Sequence, residues 1–108
     1  MSLKRSRLKR TRKPIDEESL NKMRDFFLSI WSKRQHYSEV SGVSLGREPL
    51  STYFHHIYLK EQHPNMAFDE ANVILLTLDE HTNCHSDMYR YPEINRRRQL
   101  LAVKYNLV

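Results

Sequence analysis

Apolar side chains at Leu20, Met23, Phe26, Phe27, Ile30 and Trp31 recur at the spacing that gathers them on one side of an α-helix. The run Ile15-Asp16-Glu17-Glu18-Ser19-Leu20 supplies the start. Asp16 can act as N-cap, the acids suit the positive end of the helix dipole, and Ile15 can staple onto Leu20. A helix is predicted over about 16–34, its aromatic stripe suited to core packing, with His36 just beyond its end where a cation suits the dipole. Both glycines, Gly42 and Gly46, fall between Ser38 and Pro49, which reads as a short strand or turn near Val40 followed by a loop. Ser51 to Tyr58 is rich in β-formers and reads as a strand. Asn72 then opens Val73-Ile74-Leu75-Leu76-Thr77, a second short strand. Between the two lies a polar loop, Leu59 to Ala71, carrying Pro64; long loops of this kind are often functional. A helix is predicted from Asp79 to about Tyr89. After a break at Pro92 a last helix runs from Glu93 to Tyr105, with Ile94, Leu101 and Tyr105 on one side and Arg96, Arg97 and Arg98 mostly solvated. The fold class is α+β.

Length and composition narrow the function classes. The 108 residues make one domain, and 39% hydrophobic against 29% charged residues allow a modest core. The longest apolar run, Val73 to Leu76, is far short of the ~20 residues that span a bilayer. Met1 to Pro14 lacks the apolar stretch of a secretory signal, so neither membrane insertion nor export is expected and the cytoplasm is the expected compartment. Cys84 is the single cysteine, which excludes an intrachain disulfide and a CxxC zinc knuckle.

Charge is unevenly spread. The net +5 resides in an arm over residues 1–14, where Lys4, Arg5, Arg7, Lys9, Arg10, Arg12 and Lys13 meet no acid. The other 11 basic residues face 13 acidic ones, a formal −2. Such an arm is expected to be disordered when free and to seek a polyanion. If all seven charges met phosphates of duplex DNA, affinity would fall with salt at a log–log slope of roughly −6. Residues 15–108 are expected to form a single domain.

Six histidines carry the candidate chemistry. His81 and His85 are four apart on a predicted helix, so they share one face and can chelate one ion. On its own that spacing also suits a solvated face. His55 and His56 are neighbours in a strand, where adjacent side chains point to opposite faces. For both to serve one site, the strand must end or twist near them. The alternative is one buried, hydrogen-bonded histidine and one exposed one.

The complete order is His55-His56, 15 residues, Asn72, eight residues, His81, three residues, His85. With the words Phe54-His55-His56-Ile57 and Asn72-Val73-Ile74-Leu75-Leu76, this resembles the HNH endonuclease family, closest to its colicin-type and small phage or prophage members. The resemblance covers about residues 38–89. It implies a small ββα-metal core flanked here by an N-terminal and a C-terminal helix. It also implies His55, His81 and His85 as metal ligands, His56 as general base, and Asn72 as the structural residue tying the loop to the second strand. The chain departs from many relatives in lacking CxxC pairs for a structural zinc and in continuing Tyr58-Leu59-Lys60 where proline or glycine often follows.

The expected function is then that of a metal-dependent DNA endonuclease with one divalent ion and low sequence specificity. Imidazoles favour Zn, Ni, Co or Mn over Mg. Neutral ligands leave the ion's charge free to offset charge developing on a phosphodiester, while His56, with an ordinary pKa near 6.5, takes a proton from water. The resemblance implies 5′-phosphate and 3′-hydroxyl products and a setting in phage or mobile-element DNA metabolism, in the host cytoplasm or nucleoid. Lys60 and His63 in the loop, and Arg96, Arg97 and Arg98, are further candidates for phosphate contact. DNA is the expected partner, RNA stays open, and a protein partner could direct cleavage. The competing class is an HNH-derived module that binds nucleic acid or a larger complex without cutting; the presence of His56 favours the enzyme.

Overall fold

The computed structural model describes residues 16–107. The basic arm and the Ile15 staple lie outside those residues. Among the described residues are three α-helices and one antiparallel two-stranded sheet, a mixed α+β arrangement. Helix α1 runs Glu17–Lys33, strand β1 Phe54–His56, strand β2 Val73–Leu75, helix α2 Leu78–Ser86 and helix α3 Pro92–Lys104.

Local chemistry explains the boundaries. The Asp16 carboxylate caps α1 by accepting from Glu18 N at 3.1 Å and Ser19 Oγ at 2.8 Å. Thr77 and Glu80 form a reciprocal capping box that starts α2 one residue earlier than predicted. Pro92 opens α3 at a position where its missing N–H costs nothing. Helix α2 ends at Ser86 rather than Tyr89, with Asp87 N bonded to Asn83 O. The strand predicted over 51–58 is shorter, because Ser51–Tyr53 coils into a single 3-10 turn before β1. The region near Val40 is a turn: Tyr37 and Ser44 form one isolated bridge, and Gly42 supplies a φ of 79°. The long loop is not featureless, since Pro64–Met66 and Glu70–Asn72 each make a 3-10 turn.

The register pairs Phe54 with Leu75, His55 with Ile74 and His56 with Val73. Alternation then divides the side chains between two cores. On one face Phe54, Val73 and Leu75 pack with Ile30 and Trp31 of α1 and with Leu45. On the other, Ile57, Ile74 and Leu76 pack with Cys84 of α2 and with Ile94 and Leu101 of α3. Both faces of β2 are therefore covered, which is why its sequence is a continuous apolar run instead of an alternating one. No described helix is long and apolar enough to cross a membrane.

A two-stranded sheet leaves β2 with a bare outer edge, and charged groups close it. Glu39 N donates to Leu75 O, and the Glu39 carboxylate accepts from Leu75 N, both at 2.9 Å. The Arg34 guanidinium donates to Val73 O and Glu70 O at 2.7 Å each. Glu39 in turn meets Arg34 at 2.8 Å and Arg97 at 3.0 Å, locking α1, the turn and α3 to the strand. Replacing Glu39 by Ala removes an edge hydrogen bond, leaves the Arg34 guanidinium without a carboxylate and leaves Arg97 with Glu93 alone. We expect a loss of about 2 kcal/mol in urea unfolding; a loss below ~0.5 kcal/mol would show that the edge is held by other means.

Candidate metal centre

His55 lies in the middle of β1 and points to the α2 side, while His81 and His85 lie one turn apart on α2. The His55 ring meets those of His81 and His85 edge-on, with centroids 4.9 and 5.9 Å away, and His81 and His85 are 5.0 Å apart. One ring nitrogen from each of the three lies within 4.8 Å of the others, close enough to hold a metal ion. The approach of α2 is set from both ends of the site. Leu76 N donates to Tyr53 O at 2.9 Å just before the capping box, and the Glu80 carboxylate of that box also accepts from Ser38 Oγ at 2.6 Å.

The donor set fits a divalent transition metal. The turn before β1 presents Thr52 O, which lies 2.6 Å from His81 Nδ1. A carbonyl only accepts, so Nδ1 carries the proton and the Nε2 lone pair is left for an ion, the usual second layer of support for a ligand histidine. Burial in an apolar surround, and then the neighbouring His81 and His85, push the His55 pKa down to about 4, which keeps its ring neutral and ready to ligate. Three imidazoles with an open side are the donor pattern of a site that leaves room for substrate.

His56 occupies the opposite face, 5.8 Å from the Phe27 ring of α1, and its Nε2 lies 2.9 Å from Ala67 O. That contact again assigns the proton, to Nε2, and leaves Nδ1 unprotonated. Burial lowers the His56 pKa, opposed by the Ala67 hydrogen bond; Lys60 lowers it further and Glu61 raises it. The ring is thus neutral near pH 7 with a free basic nitrogen.

Adjacent strand residues on opposite faces still share one cleft, because β1 stops at His56. A cleft of about 230 Å³ is lined by Phe27, Phe54, His55, His56, Leu59, Lys60, Glu61, His81 and His85. The stop is imposed by Asn72, which is fully buried. Its Oδ1 accepts from Tyr58 N at 2.8 Å, and its Nδ2 donates to Tyr58 O at 2.9 Å and Met66 O at 3.2 Å.

The other expected site residues are distributed differently. Lys60 lines the cleft. His63 instead packs edge-on against Tyr58 at 4.9 Å. Arg96 and Arg97 both pair with Glu93 at 2.7 and 2.8 Å, and Arg97 also with Glu39. Arg98 donates to Asn95 Oδ1 and Met88 O and lies over the Tyr89 ring. The triplet therefore braces α3 and its approach, with two of its three charges compensated by carboxylates. His36 stacks on Trp31 at 3.7 Å and binds Trp31 O. Cys84 is buried, with its thiol pKa raised by that burial, and takes no part in the cluster. Lys4, Arg5, Arg7, Lys9, Arg10, Arg12 and Lys13 fall outside the described residues.

Sequence reasoning missed the Thr52 and Ala67 carbonyls, since a backbone acceptor leaves no trace in side-chain identity. It assigned Phe27 to the core stripe alone, and Glu61 drew no attention beside Lys60. Comparisons with protein-family models, with curated proteins and with solved structures return no match.

Thermal melts with and without Zn across pH 4–7.5 test the cluster. At pH 7 excess Zn is expected to raise Tm by several degrees, and His55→Ala, His81→Ala or His85→Ala to abolish the rise, while His56→Ala keeps it. Without metal, the His55 pKa near 4 lies below its unfolded value of about 6.5. Its contribution is constant above pH 6.5 and is lost as pH falls toward 4, because the unfolded chain takes up the proton first. The metal-free Tm should drop through that window, less steeply in His55→Asn. A Zn response unchanged in all three alanine variants would rule the cluster out as the site.

Proposed function

We propose that the chain is a metal-dependent DNA endonuclease of HNH type, hydrolysing phosphodiester bonds with low sequence specificity. The single observation that carries this is the pairing of a three-imidazole cluster with a fourth imidazole, His56, that lines the same cleft and whose Nε2 is tied to Ala67 O. A purely structural zinc site has no use for a neutral base fixed beside it.

The division of labour rests on the tautomers. His55, His81 and His85 hold a divalent ion through neutral nitrogens. When bound, that ion supplies charge neutralisation at the phosphate and at the leaving 3′ oxygen. His56 Nδ1 takes a proton from the attacking water, and the Ala67 carbonyl steadies the imidazolium that results by accepting a hydrogen bond from its Nε2–H. Lys60, on the rim of the cleft, offers a cation to a flanking phosphate. The arm with Lys4, Arg5, Arg7, Lys9, Arg10, Arg12 and Lys13 adds attraction to the backbone without base readout. Asn72 touches no substrate in this scheme; it sets where β1 ends.

The test is nicking of supercoiled plasmid, with an RNA control, by purified protein in Mg, Mn, Ni or Zn. Metal-dependent nicking is expected, reduced at least about 100-fold by His56→Ala, with metal binding retained. Equal nicking by that variant would remove His56 as base. Tight binding to DNA without cutting in any metal would instead make the chain a binding module.

A further inference from the structure

Beside the cleft stands an aromatic side chain that the mechanism leaves unused. Phe68 comes directly after Ala67, the residue whose carbonyl fixes His56, and is 45% exposed. It is nevertheless held firmly. Its ring meets Phe26 edge-on at 5.3 Å, and Asp69 N donates to Met66 O. The Asp69 carboxylate is clamped by Lys104 and Tyr105 at 2.7 Å each. Phe26, Phe27 and His56 succeed one another at 6.0 and 5.8 Å, so an aromatic wall runs without interruption from the proposed base to Phe68. Lys22 Nζ lies 5.4 Å over the Phe68 ring, and Lys60 lies at the other end of the wall.

A single exposed ring is ordinary on a protein surface; Phe68 differs in being fixed on a tied-down turn as the end of an aromatic row that starts at His56. We propose that Phe68 is a stacking platform for one unpaired base of DNA on the strand that leads into the cleft, and that the enzyme therefore favours single-stranded or gapped DNA over intact duplex. This rests on reading the cleft as a DNA nuclease site. Inside a duplex both faces of a base are occupied by its neighbours; only an unpaired base offers a face to a ring. Lys22 stands beside the ring for a phosphate adjoining such a base, and Lys60 in the cleft for one further along the strand. Lys22 has a flexible stem, so its ammonium can leave the ring face to a base and move to the adjoining phosphate. The platform is formed before binding, which limits the ordering cost of using it.

The full-length chain and its Phe68→Ala and Phe68→Tyr variants are compared by fluorescence anisotropy, without added metal, on a single-stranded oligonucleotide and on its blunt duplex. Cleavage of both is then measured with metal. Phe68→Ala is expected to weaken single-strand binding about tenfold and duplex binding less than twofold, with Phe68→Tyr restoring the difference; loss of the Phe26 contact lowers Tm of Phe68→Ala by a few degrees, leaving it folded at the assay temperature. Equal losses on the two substrates, or no loss on either, would overturn the platform. The two proposals fail separately. Duplex cutting with no role for Phe68 removes the platform and leaves the nuclease, whereas Phe68-dependent single-strand binding without cutting leaves the platform and removes the nuclease.

Discussion

Asn72 has its amide bonded to three backbone groups, Tyr58 N, Tyr58 O and Met66 O, in a place no solvent reaches. The site depends on that clamp. By taking both polar groups of Tyr58, it turns the chain out of the sheet just after β1, so His55 and His56 point to opposite faces and yet border one cleft. By taking Met66 O, it also settles the Pro64–Met66 turn, and with it the Ala67 carbonyl that orients His56. An apolar residue of similar size would leave these groups buried and unpaired, and the two histidines would lose their fixed relation.

Electrostatics divide the molecule in two. On the outer edge of β2, Glu39 gathers Arg34 and Arg97 into a network that closes the sheet. The cluster is built of imidazoles alone, and burial keeps that of His55 neutral. A divalent ion held there would meet no carboxylate among its three ligand groups, which under the proposed function would leave its charge available for a phosphate. Two of the three α3 arginines, Arg96 and Arg97, are already paired with carboxylates, so under the proposed function the cations offered to a nucleic acid include Lys60, Lys22 and the basic arm.

The elements with strong periodicity were legible in the sequence. α1 was readable from Leu20, Met23, Phe26, Phe27, Ile30 and Trp31, β2 from its apolar run, and α3 from Pro92 and Ile94. The His81–His85 pair was readable from its helical spacing and His55 only through the family resemblance, and the structure brings those three rings together. Less legible was anything decided by tertiary hydrogen bonds. Ser51–Tyr53 has strand-forming residues but coils into a 3-10 turn, and its Thr52 carbonyl there orients His81. Arg96, Arg97 and Arg98 look like a solvated basic patch until Glu93 and Glu39, the latter far away in sequence, are found beside them. Composition could not separate a ring in the core from one lining the cleft, which is why Phe27 was read as core alone.

The chemistry turns on tautomers: three rings with a nitrogen free for an ion, and a fourth anchored through Nε2 with Nδ1 bare. Long-range ¹H–¹⁵N correlation spectra of the six histidine rings, recorded before and after one equivalent of Zn, measure this directly. The nitrogen shifts of His55, His81 and His85 are expected to move together on titration. His56 should hold a protonated Nε2 and an unprotonated Nδ1 throughout, and His36 and His63 should stay unmoved. A His56 ring that binds the ion, or that carries its proton on Nδ1, would contradict this assignment.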